Sequence, residues 1–157
     1  MIKRRRFKGK KKGKIASKQT EVNGIVFDSK LEARYYQYLK MQPDIEKIEV
    51  QPEFVLLEPF TIPCTGCKGG GRVPSPKTGK PIQCKKCKGE GERTISGWKY
   101  KADFRVTYKN GEIETIDVKG GFINERFPHV KKLFEYKYRQ ELIVVKENDN
   151  GIGWKRG

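Results

Sequence analysis

The sequence lacks long apolar runs and has a single histidine, His129. No stretch approaches the roughly 18 consecutive apolar residues of a membrane-crossing helix, so we expect no contact with a membrane. The basic amino terminus is not followed by an apolar segment, so we expect no secretory signal and a cytoplasmic protein. One histidine is too few for nucleases or hydrolases whose catalysis depends on several histidines or on a Ser-His-Asp triad.

Acidic residues are fewer than basic ones. The 157-residue chain has 19 Asp and Glu against 35 Lys and Arg, which gives a formal net charge of +16. The length suits one domain with a small inserted module, and the charge favours a polyanionic partner. The positive excess lies in two segments. Residues 1–20 contain ten Lys and Arg residues and no acid, and residues 64–93 contain eight against two acids, Glu90 and Glu92. The rest of the chain is electrically balanced.

Residues 1–20 are predicted to form a disordered basic tail, because like charges repel and little of the segment can be buried. Such a tail binds a phosphate backbone through salt-sensitive, sequence-independent contacts. A solubilising tail and a nuclear-localisation run are the alternatives. The residues predicted to contact DNA here are Arg4, Arg5, Arg6, Lys10, Lys11 and Lys12.

Four cysteines form two CxxC pairs, Cys64/Cys67 and Cys84/Cys87, separated by sixteen residues. This spacing is typical of a tetrahedral zinc site with four thiolates, which leaves no open position for catalysis, so the zinc is expected to be structural. Each pair continues as CxxCxGxG, and the glycines allow backbone amides to approach the sulfurs. A redox dithiol is the alternative. Residues 61–95 are therefore predicted to be a zinc-ribbon-like insertion with four DNA-contacting lysines: Lys77, Lys80, Lys85 and Lys86.

Hydrophobic periodicity predicts an α/β or α+β domain with a central mixed sheet flanked by helices. Ser29 and Glu32 have the spacing of a capping box that begins the first helix. The cysteine module interrupts a hairpin between residues 53–58 and 94–100. The predicted helices cover residues 29–41 and 128–138, and the predicted strands cover 45–50, 53–58, 94–100, 102–108, 112–119 and 142–146.

A second hairpin brings two carboxylates together. A three-residue turn at 109–111 would place Asp103 directly opposite Asp117, whereas a two-residue turn would shift this register by one. Opposed side chains are about 5 Å apart at Cβ, close enough to share a divalent cation. Lys119 projects from the same face as Asp117. Carboxylates, a hard metal and a lysine favour metal-assisted phosphodiester hydrolysis.

Four segments together resemble small phage and prophage nucleases of the PD-(D/E)xK superfamily, which are related to Holliday-junction resolvases. They are Phe27-Asp-Ser-Lys-Leu-Glu-Ala-Arg34, Gln51-Pro52, Tyr100-Lys-Ala-Asp-Phe104 and Asp117-Val-Lys-Gly120. The resemblance spans about residues 24–146 without the cysteine insertion. It implies a restriction-endonuclease-like core within a nuclease domain at 21–157, and a Mg²⁺-dependent endonuclease acting on branched DNA. It also implies a homodimer, encoded by a phage or prophage and acting in the bacterial cytoplasm.

The resemblance also implies residue roles. Asp103, Asp117 and the Val118 carbonyl would bind Mg²⁺, with Glu32 completing the acidic cluster and Lys119 acting on the attacking water. A further polar residue is expected on the following helix, with Lys131 as the first candidate and Lys132 as the second. Ala102 departs from the family pattern, which often has proline there. The cysteine repeat resembles the zinc repeats of DnaJ-type chaperones, although only two repeats occur and the chain has no His-Pro-Asp sequence.

Two kinds of alternative stay open. The whole chain could be a non-enzymatic zinc-ribbon protein that binds nucleic acid, with an incidental acidic cluster. Individual residues also have structural interpretations: Glu32 as a capping-box partner, and Lys131 on a solvated helix face. Tyr35, Tyr36 and Tyr38 are expected to pack in the core rather than to stack on bases.

Overall fold

The computed structural model describes residues 19–121 and 124–157. The chain divides into two compact units, Met1–Gln42 and Pro43–Gly157. The basic residues of the predicted tail, with their expected DNA contacts, lie outside the described residues. Within the described ranges, no helix is long and apolar enough to cross a membrane.

The first unit contains a short hairpin and one helix. Strands β1 (Thr20–Val22) and β2 (Ile25–Phe27) are antiparallel and joined by Asn23-Gly24, both with positive φ. This is the backbone that favours Asn-Gly in a two-residue hairpin. Helix α1 (Lys30–Lys40) begins after the cap residue Ser29 and ends at Met41, which confirms the predicted helix. Tyr35 and Tyr36 are buried, as expected for packing residues.

The second unit is built on a five-stranded sheet with the order β13-β12-β11-β10-β3. Strands β11 and β12 are parallel and the other pairs are antiparallel, so the sheet is mixed, as predicted. Helix α2 (Phe127–Tyr138) connects the two parallel strands. The five strands are β3 (Ile45–Val50), β10 (Phe104–Tyr108), β11 (Ile113–Val118), β12 (Leu142–Glu147) and β13 (Trp154–Arg156).

A hydrophobic cluster packs α2 against this sheet. Phe134 is fully buried and contacts the cluster that includes Leu142 and Val144 of β12. Phe104 and Val106 of β10 are also fully buried, on the same face of the strand. The packing fixes the sheet end at which β10 begins and β11 finishes.

Residues 53–101 form a long arm that leaves the sheet and returns to it. Its first strands are antiparallel, β4 (Glu53–Leu57) with β9 (Trp98–Lys101). Next come β5 (Phe60–Pro63) with β8 (Glu92–Ile95), and then β6 (Arg72–Pro74) with β7 (Pro81–Gln83). The cysteine module thus interrupts a hairpin, as predicted.

One predicted strand of the arm is divided in two. The expected strand 94–100 breaks at Ser96-Gly97, between β8 and β9. A Cβ atom on Gly97 would lie 2.6 Å from the Leu57 carbonyl oxygen, so only glycine allows this close approach of the two backbones.

Candidate functional site

Two aspartates meet where β10 and β11 are paired. Phe104 pairs with Ile116, so Asp103, which precedes β10, lies in the position directly opposite Asp117 of β11. The intervening turn is closed by the Tyr108 N–H, which donates to the Glu112 carbonyl at 2.8 Å. This is the register predicted for a three-residue turn, and that prediction is confirmed.

Asp103 is tied to both neighbouring strands. Its Oδ2 accepts the backbone N–H of Val118 at 2.6 Å, and its backbone carbonyl accepts the N–H of Gln51 at 2.9 Å. In an extended strand the N–H and C=O of one residue point to the same side. The Val118 carbonyl therefore lies on the side of β11 that faces Asp103.

Asp117 is almost completely buried, with 2% of its surface exposed. Its Oδ1 accepts the hydroxyl of Tyr100 at 2.6 Å, and its Oδ2 is in ion-pair contact with Lys119. Among the described residues, none donates a well-oriented hydrogen bond to Oδ2. A buried carboxylate is costly unless its charge and lone pairs are satisfied, so this oxygen retains capacity for a ligand.

Lys119, which contacts Asp117, makes two further contacts. Its side chain is 23% exposed, and Nζ lies 4.4 Å from the centre of the Phe127 ring at the start of α2. Its backbone N–H donates to the Val145 carbonyl at 2.9 Å, which fixes the end of β11 against β12. The structure therefore brings Asp103, Asp117, Val118 and Lys119 together at one end of the sheet.

Tyr100 is a member of this site whose role the sequence analysis did not assign. Burial raises the pKa of its phenol, and the negative charges of Asp117 and Asp103 raise it further. The hydroxyl therefore stays protonated and acts as a donor. The available signal is its place in the Tyr100–Phe104 segment, but a half-buried aromatic residue is equally well explained by packing.

Glu32 belongs to the first unit and is described within it. The Ser29 hydroxyl donates to Oε1 at 2.7 Å, the Asp28 N–H donates to Oε2 at 3.2 Å, and the Glu32 N–H donates back to the Ser29 oxygen at 3.2 Å. The Ser29 side chain therefore caps the helix, as the spacing predicts, and the Glu32 carboxylate accepts the N–H of Asp28, the residue before the cap. The role of Glu32 in the acidic cluster stays a prediction.

Lys131 makes its contacts at the start of β12. Its Nζ donates to the Leu142 carbonyl at 2.8 Å and lies 3.5 Å from Glu135 and 3.8 Å from Glu141. These contacts stabilise the packing of α2 on β12. A catalytic role for Lys131 stays a prediction.

The four cysteines form a second site within the arm. Their sulfur atoms all lie within 4.8 Å of one another, with Cys64 and Cys84 at 3.9 Å and Cys67 and Cys87 at 3.6 Å. A tetrahedral ion with Zn–S bonds of about 2.3 Å places sulfurs about 3.8 Å apart. The cluster has the donors and the spacing for one such ion.

Two matching turns hold the sulfurs. Lys68-Gly69 and Lys88-Gly89 both have positive φ, and the turns are linked by reciprocal hydrogen bonds. The Cys64 N–H donates to the Gly91 carbonyl at 2.7 Å, and the Cys84 N–H donates to the Gly71 carbonyl at 2.9 Å. Burial raises the pKa of Cys64, but hydrogen bonds from the N–H groups of Gly66 and Cys67 and from the thiols of Cys87 and Cys67 together lower it to about 7.

The predicted DNA-contacting lysines of the module are all exposed. Lys77 and Lys80 lie in the loop between β6 and β7, where the Ser75 N–H donates to the Lys80 carbonyl at 2.9 Å. Lys85 and Lys86 lie between the second pair of cysteines, and Lys86 Nζ donates to the Thr65 hydroxyl at 2.6 Å. The loop and the second turn thus present positive charge to solvent.

The sequence profile of a family described as "Protein of unknown function (DUF1064)" matches residues 12–148. The chain belongs to the DUF1064 family. The matched region of this DUF1064 protein contains both the acid pair and the cysteine cluster. No curated protein and no solved structure matches the chain.

Proposed function

We propose that this DUF1064 protein is a metal-dependent endonuclease that hydrolyses phosphodiester bonds in branched or recombination-intermediate DNA. The observation that supports it best is the pairing of Asp103 with Asp117, with Lys119 in contact with the same carboxylate. These residues belong to two of the four segments that together resemble the PD-(D/E)xK superfamily. By the same resemblance we propose a homodimer, encoded by a phage or prophage, that acts in the bacterial cytoplasm.

The donor set fits Mg²⁺, which prefers oxygen ligands. Asp103 and Asp117 provide carboxylate oxygens, and the Val118 carbonyl faces the same side of β11. Two opposed carboxylates repel each other, and a single ammonium offsets only one of their charges. A divalent cation at this position would therefore stabilise the pair.

When bound, Mg²⁺ polarises a phosphoryl oxygen and lowers the pKa of a water ligand. Asp103 and Asp117 would hold the ion, with Asp103 fixed by the Val118 N–H and Asp117 by the Tyr100 hydroxyl. Lys119 orients the attacking water or neutralises charge that develops on the phosphate. By the resemblance alone, Glu32 would be a further acidic residue of the site.

The cysteine cluster has a structural part in this proposal. Zn²⁺ bound by Cys64, Cys67, Cys84 and Cys87 has no open position for water, so it folds the module without taking part in hydrolysis. The module lysines, Lys77, Lys80, Lys85 and Lys86, contact DNA phosphates together with the basic tail. The module then adds affinity to a site that cuts.

Cleavage of a labelled four-way junction and of a linear duplex, in Mg²⁺ or in EDTA, tests the proposal. The wild type is compared with Asp117→Asn and with Glu114→Gln, a control on the same strand whose carboxylate pairs with Arg156. We expect Mg²⁺-dependent cutting of the junction by the wild type and the control, and none by Asp117→Asn, with unchanged zinc content. Tight DNA binding without cutting by any variant contradicts the proposal.

A non-enzymatic nucleic-acid binder is the second candidate. The complete cysteine cluster and the exposed module lysines favour it, since neither needs the acid pair. In that case Asp117→Asn should leave the affinity for DNA unchanged, because only the module and the tail would contact DNA.

A further inference from the structure

We infer that Tyr100 is a positioning residue for the metal-binding carboxylate, acting through its hydroxyl on Asp117. This inference rests on the proposed function, and it adds a residue of the arm to the site. Tyr100 lies on β9, outside the five-stranded sheet that carries the two aspartates.

The hydroxyl has one evident partner. It donates to Asp117 Oδ1 at 2.6 Å, a short distance typical of a hydrogen bond to an ionised acceptor. Within the described ranges, no other hydrogen bond to the Asp117 carboxylate is found. The other oxygen of that carboxylate faces Lys119.

The ring of Tyr100 has a separate role. It packs edge to face on Phe134, with centroids 6.1 Å apart, inside the cluster that fastens α2 to the sheet. Phenylalanine would satisfy that packing equally well. The hydroxyl is therefore explained by Asp117 and not by the core.

A fixed carboxylate binds a cation better than one that must be ordered first. The phenol restrains the Asp117 side-chain rotamer and leaves a second lone pair on Oδ1. Groups that orient metal ligands in this way change metal affinity by about 10- to 100-fold when they are removed. Loss of the hydroxyl should therefore weaken cation binding before it weakens the fold.

The chain offers a matched control on the hairpin of β10 and β11, which carries the acid pair. Tyr108 donates to Glu114 Oε2 at 2.7 Å, so it makes the same type of bond to a carboxylate outside the acid pair. Tyr108→Phe and Tyr100→Phe thus remove equivalent groups. Binding of Mn²⁺ to the zinc-loaded full chain, measured by electron paramagnetic resonance without DNA, is the first measurement. The Mg²⁺ dependence of junction cleavage is the second.

We expect Tyr100→Phe to weaken Mn²⁺ binding about 10-fold and to raise the Mg²⁺ concentration for half-maximal cleavage by a similar factor. Saturating Mg²⁺ should restore most of the rate. Tyr108→Phe should change neither value. Thermal unfolding and zinc content of both variants should match each other, so a general loss of structure would be detected.

Three results separate this inference from the proposed function. Unchanged Mn²⁺ affinity in Tyr100→Phe, or an equal loss in both variants, overturns the inference while cleavage by the wild type still supports the nuclease. Selective loss of Mn²⁺ affinity in Tyr100→Phe without cleavage of any DNA by the wild type supports positioning and overturns the nuclease. A wild type that binds no Mn²⁺ overturns both.

Discussion

The carboxylate of Asp103 accepts the backbone N–H of Val118 across the hairpin, at 2.6 Å. This side-chain bond extends the pairing of β10 and β11 beyond the Phe104–Ile116 pair and fixes the position of Val118. A single side chain therefore combines a structural bond with a charge.

Two substitutions separate these roles of Asp103. Asp103→Asn retains an oxygen that can accept the Val118 N–H. We therefore expect the free energy of unfolding, measured in urea, to change by less than about 1 kcal/mol. The cleavage rate should fall at least about 100-fold, because the charge that binds the metal is lost. Asp103→Ala removes both the charge and the acceptor for the Val118 N–H, and we expect the free energy of unfolding to fall by a further amount of about 1–2 kcal/mol. Equal stability of the two variants would show that the bond to Val118 contributes nothing to the fold.

The cysteine cluster should be required for folding of the module but not for folding of the five-stranded sheet. Cys84→Ser removes one thiolate, and we expect loss of bound zinc and rapid proteolysis between residues 61 and 95, with the sheet core resistant. Thr78→Ala, at the exposed loop tip, is the control that should retain zinc. Complete digestion of the Cys84→Ser chain would show that the module also holds the core together.

Gly71 and Gly79 provide a matched pair for testing the two linked turns. Both have positive φ, so alanine costs about 1 kcal/mol of backbone strain at either position. A Cβ on Gly71 would also collide with the Gly89 carbonyl, whereas a Cβ on Gly79 would meet nothing within 4 Å. We expect Gly71→Ala to lose zinc to a chelator far faster than Gly79→Ala. Similar rates would contradict the close packing of the turns.

The loop lysines should contribute charge without sequence preference. Replacing Lys77 and Lys80 by alanine should lower the salt dependence of DNA binding by about two units of slope, for any DNA sequence. Lys47→Ala is the control, because its ammonium is paired with Glu49 on β3, at 2.6 Å. An unchanged slope in the double variant would show that the loop does not approach phosphates.

Local rules predicted the parts of the structure that local chemistry decides. The turn at 109–111 set the register of Asp103 and Asp117, because side chains alternate and a hairpin fixes its own pairing. The capping box predicted the start of α1. The spacing of the cysteines predicted their cluster.

The misses have different causes. Asn23-Gly24 is a strong hairpin signal, but β1 and β2 are each only three residues long, too short for a periodic pattern to predict them. The bond between Tyr100 and Asp117 could not be predicted, because it joins the arm to the sheet and no local pattern encodes a contact across that distance. Contacts of this kind depend on the tertiary fold.

The reciprocal bonds between the two cysteine turns mean that neither turn is a folding unit. Each turn supplies the carbonyl that the other needs, so half of the module has an unsatisfied amide as well as an incomplete ligand set. Metal binding should therefore be an all-or-none event. A titration with limiting zinc should yield only fully loaded and empty molecules, and no half-ordered module between them.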